Sequence, residues 1–254
     1  MSHPKYKAKH TKGFFDESFR LEQLTVQKDP LVKLKERIDF EVFRSLLEEA
    51  FHKEEKGIGG ARPYDYVLMF KILILQRYYN ISDDTMEYAI LDRLSFMRFL
   101  GLTLADKVPD AKTIWHFREQ LVKGNIAGKL FDRFKEELHK NNLIANEGKI
   151  VDASFVEVPI QRNNREENKQ LKEGKIPDEW KAHPNKLEQK DVNARWTKKN
   201  GKSYYGYKDH IKADGKSKLI DSYMVTDASV HDSQETENLL EEQDKGQGLH
   251  ADSA

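Results

Sequence analysis

Two aspartates set in apolar, strand-like runs are the residues best suited to chemistry. Asp152 lies between Val151 and Ala153 in the run Lys149 to Val158 (KIVDASFVEV), and Asp252 follows Gly248-Leu249-His250-Ala251. A carboxylate inside an apolar strand is costly unless it is paired or holds a metal. Two of them on adjacent strands could share divalent cations. Hard oxygen ligands suit Mg²⁺, which keeps waters and binds substrate phosphates. A metal pair roughly 4 Å apart activates a nucleophile and stabilises the leaving oxygen in phosphodiester chemistry. The plainer alternative makes one or both aspartates strand-end or turn residues.

A second chemical feature is the stretch from Arg195 to Lys218. Arg195, Lys198, Lys199, Lys202, Lys208, Lys212, Lys216 and Lys218 stand against only Asp209 and Asp214, with Trp196, Tyr204, Tyr205 and Tyr207 interleaved. Cations neutralise phosphates, and aromatic rings stack on unpaired bases. The alternative is an exposed hairpin whose aromatics face the core. Two Gly-Lys-Ser triplets, Gly201-Lys202-Ser203 and Gly215-Lys216-Ser217, resemble the end of a phosphate loop. Neither has the required upstream glycine, since Trp196 and His210 occupy those places. Gly57-Ile58-Gly59-Gly60 follows no strand, so it does not support a dinucleotide fold. There is no H-E-x-x-H motif, and the nine His are scattered.

The elements that must position these residues fall into two regions. Residues 1–38 are polar and basic at the start (Lys5, Lys7, Lys9, Lys12), reading as an arm with a short ordered piece near Phe14, Phe15 and Phe19. From Asp39, a plausible N-cap, Phe40, Phe43, Leu46, Leu47 and Ala50 recur at helical spacing. A second helix fits Tyr64 to Tyr79 and is apolar nearly all round, so it should be buried. A third starts near Ser82-Asp83-Asp84, with Asp84 and Glu87 resembling a capping box, and stops at Gly101. A fourth runs from about Asp110 to Val122, and a fifth ends at Asn141-Asn142. The third and fourth could form a helix-turn-helix-like pair, though a plain packed bundle explains the same spacing.

At Gly148 the period changes. Lys149 to Val158 reads as a strand stopped by Pro159. Residues 160–198 hold few large apolar residues and many charges, which predicts a surface insertion or mobile loop. Ser203 to Ala213 and Ser217 to Thr226 read as strands joined at an Asp214-Gly215 turn signal. Asp232 to Gln243 is a polar helix candidate, and Gly248 to Asp252 looks like another strand. Strand, loop, strand, turn, strand, helix, strand is a mixed α/β layout.

Composition removes several classes of function. Cys is absent from the 254 residues, which excludes a disulfide scaffold, a thiolate zinc site and a cysteine nucleophile. No run approaches the length of a membrane span, and Val67 to Leu75 carries Lys71 in its middle. No apolar leader follows the first residues, so a cytoplasmic protein is expected. The formal net charge is +0. It hides an asymmetry, because residues 220–254 hold Lys245 against nine Asp and Glu. The rest is therefore basic enough to meet a polyanion.

At these residues the sequence resembles DDE transposases of insertion-sequence family five. Lys149 to Pro159 is similar to the first-aspartate strand, Asn193 to Lys208 to the basic aromatic block, and Val225 to Ser233 to the block after it. His250-Ala251-Asp252-Ser253-Ala254 resembles the second-aspartate strand. Gly60-Ala61-Arg62-Pro63-Tyr64 and Thr113 to Arg118 resemble the helical N-terminal domain. The resemblance implies an α/β protein with an N-terminal all-helical domain, followed by an incomplete RNase H-like mixed sheet with flanking helices. It divides the chain into a basic arm (1–38), a helical DNA-binding domain (39–147) and a partial catalytic domain (148–254) with a charged insertion at 160–198. Asp152 and Asp252 become the first and second acids of the triad and ligands of two Mg²⁺ ions. Arg195, Trp196, Lys198, Lys199, Lys202, Tyr204, Tyr205 and Lys208 become candidate DNA contacts. The implied partners are double-stranded DNA (transposon terminal inverted repeats and target DNA) and a second copy in a homodimer, in a nucleoid-associated, cytoplasmic setting. The implied activity is DNA cleavage and strand transfer.

One departure from the family pattern shapes the expectation. The family's third acid is a Glu on a helix beyond the second-aspartate strand, and no residue before Ala254 matches it; Glu241 and Glu242 come too early. The reading is therefore of a C-terminally truncated chain with impaired catalysis. The alternatives are a non-catalytic DNA-binding regulator of an intact transposase, or a remnant without function.

Overall fold

A computed structural model describes residues 6, 11, 13–51, 62–158 and 161–251. The chain divides into two compact units, Met1–Asn141 and Asn142–Ala254. The Gly57 to Gly60 run and the basic positions Lys5, Lys7, Lys9 and Lys12 lie outside the described residues.

The first unit is helical. It contains α1 (Asp16–Val26), α2 (Pro30–Arg37), a 3-10 turn (Phe40–Phe43), α3 (Arg44–Phe51) and α4 (Tyr66–Tyr79). There follow α5 (Asp83–Asp92), α6 (Leu94–Leu100), α7 (Ala111–Lys123) and α8 (Ala127–Lys140). Aspartates open several of them by accepting backbone N–H groups that have no helical partner. Asp65 accepts from Leu68 (2.9 Å), Asp110 from Thr113 (2.7 Å) and Asp39 from Glu41 (3.0 Å). Phe43, Leu47, Ile72, Leu75, Met86, Ile90 and Ile114 are buried and build the core. The Phe51 ring stacks on Phe117 at 4.6 Å.

Three local expectations change here. Residues 16–37 are not an arm but α1 and α2, held by a distant arginine. Arg98 donates to the Leu21 carbonyl (2.9 Å), to Thr25 Oγ1 (2.8 Å) and to Asp29 (2.7 Å). The Asp84–Glu87 capping box does not form, because the N-cap lies two residues earlier, at Ser82. The Ser82 hydroxyl bonds to Thr85 Oγ1 (2.9 Å) and not to the helix backbone, and Asp83 pairs with Arg118 and Gln76. The single helix expected up to Gly101 breaks at Arg93, whose backbone is extended, giving α5 and α6.

The second unit is a mixed five-stranded sheet with flanking helices. Its elements are β1 (Lys149–Glu157), α9 (Arg165–Lys172), α10 (Asp178–Ala182), α11 (Pro184–Gln189), β2 (Arg195–Lys199) and β3 (Lys202–Asp214). Then come β4 (Ile220–Asp227), α12 (Asp232–Leu239), a 3-10 turn (Glu242–Asp244) and β5 (Leu249–Ala251). β3 is the axis. β1 runs antiparallel along one edge, over Gly206 to Asp214. β2 and β4 share its other edge, opposite Lys202 to Gly206 and Tyr207 to Ala213. β5 pairs with β1 in parallel.

Side chains alternate strictly along β3, with Lys208, His210, Lys212 and Asp214 buried and Tyr207, Asp209, Ile211 and Ala213 half-exposed. Gly206 marks the tightest approach in the sheet. Its φ is +146°, and a Cβ there would lie 2.2 Å from the Val156 carbonyl oxygen and 2.9 Å from Val158 N. The β3–β4 connection is longer than the two-residue turn suggested by Asp214-Gly215. Asp214 organises it by accepting from Ser217 N (2.7 Å), Ser217 Oγ (2.6 Å) and Glu147 N (3.1 Å). Burial works against the charged carboxylate, but these hydrogen bonds outweigh it and bring its pKa to about 2.

The charged insertion is folded. Trp180 is fully buried, and its indole N–H donates to Glu167 Oε1 (2.9 Å). Lys190 pairs with Glu167 Oε2 (3.2 Å) and lies over the Trp180 ring (5.1 Å). Asn164 and Glu167 form a capping box at the start of α9. One large aromatic encircled by polar partners takes the place of an apolar stripe, which is why hydropathy alone indicated a loop.

Two consequences are measurable. Gly206→Ala should lower the stability of the sheet unit by at least about 3 kcal/mol, combining a forbidden conformation with a backbone clash. Urea unfolding followed by tryptophan fluorescence checks it. The carboxyl of Asp214 has a lower pKa folded than unfolded, so its stabilisation is present above the unfolded value and fades as pH falls towards 2. Between pH 6 and pH 2 the protein should lose about 2 kcal/mol more stability than Asp214→Asn. Equal losses would disprove the assignment.

Candidate functional site

Asp152 sits mid-way along β1, opposite Ile211 of β3. The sheet's alternation turns it outward. Val151 is buried, whereas Asp152, Ser154 and Val156 are exposed on the other face. The expectation of an aspartate trapped inside an apolar strand is therefore replaced. β1 is amphipathic, and water solvates the carboxylate at no great cost. Its Oδ1 accepts the N–H of Ala153 at 2.7 Å, and among the described residues no cation pairs with it.

The neighbouring strand brings the second candidate region close. In the parallel β1–β5 ladder, Ile150 pairs with His250 and Val151 with Ala251. Each of Val151 and Ala251 immediately precedes one of the two aspartates. Asp252 itself lies outside the described residues. Among the described residues no group of three His, Asp or Glu is arranged to hold a metal ion. The donor chemistry at Asp152 still fits a divalent cation. It is an accessible hard-oxygen carboxylate, not neutralised by Lys or Arg.

The sheet's buried face holds charges that sequence reading missed. Lys149 Nζ lies 3.0 Å from Asp221 Oδ2 and 3.3 Å from Asp244 Oδ1. Lys212 Nζ lies 3.2 Å from Asp221 Oδ2 and 2.7 Å from Asp244 Oδ2. All four side chains are almost completely buried. Burial would lower the pKa of Lys149, but Asp221 and Asp244 outweigh it and raise it. Burial likewise opposes ionisation of Asp244, which Lys212 nevertheless holds below its ordinary range. Asp221 reaches this face through a β-bulge. Lys212 pairs with Ser222 and Ala213 with Ile220, leaving Asp221 as the extra residue. No local sequence signal marks that bulge.

The eight candidate DNA contacts separate into two groups. Arg195 donates to the carbonyls of Val192 (2.8 Å), Ala194 (3.0 Å) and Leu171 (3.2 Å), closing the insertion onto β2. Trp196 donates its indole N–H to Asn163 O (2.7 Å) and packs on Tyr205, whose side chain is fully buried. Lys208 is buried, donating to Val230 O (2.6 Å) and to Asp232 Oδ1 (2.8 Å) at the start of α12. These four side chains are committed to internal contacts. The others gather at one hairpin tip. Lys198, Lys199 and Lys202 are exposed, and Tyr204 stacks on Phe155 at 4.1 Å with Lys202 Nζ over its ring. The tip is an Asn200-Gly201 turn with φ of +52° and +81°. The insertion expected over residues 160–198 takes in Arg195 to Lys198 and misses β2; the Asn-Gly pair, a strong hairpin signal, is the feature that could have found it.

On the same buried face His210 Nε2 lies 2.9 Å from Thr226 Oγ1, and burial pushes its pKa down. In the helical unit, the expected helix-turn-helix-like region is α5, α6 and α7. Arg118 of α7 is engaged by Asp83 of α5, while Trp115 and Tyr88 are exposed.

Residues 19–120 match the family model of a transposase domain (DUF772), and residues 145–254 match that of a transposase DDE domain. No solved structure matches the chain. No described helix is long and apolar enough to cross a membrane.

The two groups of cations should respond differently to substitution. Lys208→Met removes a buried ammonium from the Val230 carbonyl and from Asp232, a partly exposed carboxylate that keeps Lys199 at 3.7 Å, and should cost about 1 to 2 kcal/mol of stability. Lys198→Ala, Lys199→Ala and Lys202→Ala should each stay within about 0.5 kcal/mol. Thermal melts of the four variants check this, and a neutral Lys208→Met would overturn the burial argument.

Proposed function

We infer that this chain, whose two units carry transposase domain matches, is a DDE transposase that binds DNA through its basic hairpin and helical unit and places its cleavage chemistry at Asp152 and Asp252. The observation that carries the reading is the outward-facing, uncompensated Asp152, beside a parallel strand whose Ala251 pairs with Val151. Residues 39–147 would serve as the DNA-binding domain and 148–254 as the catalytic one. The DNA partner is double-stranded, with transposon terminal inverted repeats as the specific ends, and the acting species a homodimer.

The chain's own residues have separate tasks. Asp152 and Asp252 would hold Mg²⁺ through carboxylate oxygens. When bound, a pair of such ions supplies a polarised scissile phosphate and an acidified water or 3′-hydroxyl for in-line cleavage and strand transfer. Lys198, Lys199 and Lys202 would neutralise phosphates and fix the duplex. The Tyr204 ring is already stacked on Phe155, so its part is to stiffen the hairpin tip.

Mn²⁺ titration followed by electron paramagnetic resonance tests the metal site. Asp152→Asn should weaken binding by about tenfold or more, since a charged ligand is lost from a hard-oxygen site. Asp178→Asn, which alters an exposed carboxylate of the insertion, should leave it unchanged. Indistinguishable titrations for the wild type and Asp152→Asn would sink the reading. For DNA, replacing Lys198, Lys199 and Lys202 together by Ala should reduce the salt slope of duplex binding by about 2 to 3. A non-catalytic DNA-binding role rests on the same hairpin tip. It would show as salt-sensitive binding without metal-dependent nicking of plasmid DNA.

A further inference from the structure

The buried charge quartet takes no part in the proposed metal or DNA contacts, yet its membership is uneven. Lys149, Lys212 and Asp221 come from β1, β3 and β4, three strands already joined by long ladders, the β3–β4 ladder bulging at Asp221. Asp244 alone comes from the segment that leads into β5. Its Oδ2 also accepts the N–H of Glu241 (2.8 Å), which closes the turn that carries it. Lys149 grips this segment twice. Its backbone N–H donates to Gly248 O (2.8 Å), and its Nζ reaches Asp244 Oδ1 (3.3 Å).

β5 needs such a grip. It has three residues, all exposed, so no buried side chain of its own fixes its register on β1. A strand without a buried face is weakly registered, and a slip of one residue would turn every side chain to the opposite face. An apolar pair in place of Lys149 and Asp244 would pack without direction. Buried charges that must be neutralised favour the one alignment in which their partners meet, and Asp244 meets both Lys212 (2.7 Å) and Lys149 (3.3 Å).

We propose that the hold of Lys149, together with Lys212, on Asp244 is a positioning device that sets the register on β1 of β5, the strand that Asp252 follows in the sequence. Its consequence for metal binding rests on the two-carboxylate reading above; its consequence for β5 does not. Lys149 is a positioning residue, since it acts on the site through the strand.

The test pairs Lys149→Met with Lys149→Arg in the full chain, using hydrogen exchange and the Mn²⁺ titration. In Lys149→Met, residues 245–251 should exchange about tenfold faster while Tyr207 to Ala213 keep their protection. Mn²⁺ affinity should fall by about tenfold, the scale of a supporting contact around a metal site. Lys149→Arg, which keeps the charge, should restore both to within about threefold. If Lys149→Met does not fold, the charge-neutral double variant Lys149→Met/Asp244→Asn, which leaves Lys212 with Asp221, carries the same expectations. Unchanged exchange at 245–251, or protection lost equally from every strand, overturns the proposal. If the wild type and Asp152→Asn bind Mn²⁺ alike, the two-carboxylate reading fails by itself, and the exchange result still decides the register.

Discussion

Two ammonium groups and two carboxylates meet in the interior of the sheet, and the rest of the second unit is arranged around keeping them neutral. Lys149 and Lys212 could not enter the core uncompensated, because desolvating a charge costs several kcal/mol. The geometry answers with Asp221 and Asp244, each within 3.3 Å of both lysines. Asp221 can answer only because β4 bulges, and Asp244 only because a 3-10 turn follows α12. The irregular features of the unit therefore have an electrostatic cause.

Strand parity transmits this constraint to the candidate site. Lys212 faces inward opposite Val151, so its neighbour Ile211 faces outward opposite Asp152. The alternation that sends Lys212 into the core sends Asp152 to the solvent. Lys208 follows the same rule and ends on Asp232 at the start of α12. One face of the sheet is thus a closed ionic interior. The other is open, with Asp152 in it and Val156, Tyr223 and Val225 partly exposed.

The basic character of residues 195–218 looks different once internal partners are assigned. Arg195, Lys208 and Lys212 are held inside the unit, and Lys216 pairs with Glu147 at 2.7 Å. The cations gathered at one place are Lys198, Lys199 and Lys202 of the Asn200-Gly201 hairpin tip, of which Lys199 lies 3.7 Å from Asp232. Their clustering follows from a two-residue turn that sets Lys199 opposite Lys202. Like charges facing across a ladder are unfavourable, and here Asp232 lies 3.7 Å from Lys199 while the Tyr204 ring lies under Lys202.

Much of this was legible in the chain itself. Period-3.6 patterning located α4, α7 and α8, Asp39 read as an N-cap, and the residues around Asp152 read as a strand, because such features depend on neighbours a turn or a pleat away. The sequence alone also determined which two carboxylates stand out and where the basic aromatic block lies. Only the tertiary structure decided that Lys149, Lys208 and Lys212 point inward, that Arg98 orders α1 and α2, and that Trp180 with Glu167 folds a charged insertion. Each of those outcomes depends on a partner distant in sequence, as Lys149 does on Asp221 or Arg98 on Leu21. Local periodicity contains no information about which distant charge will arrive to neutralise a side chain.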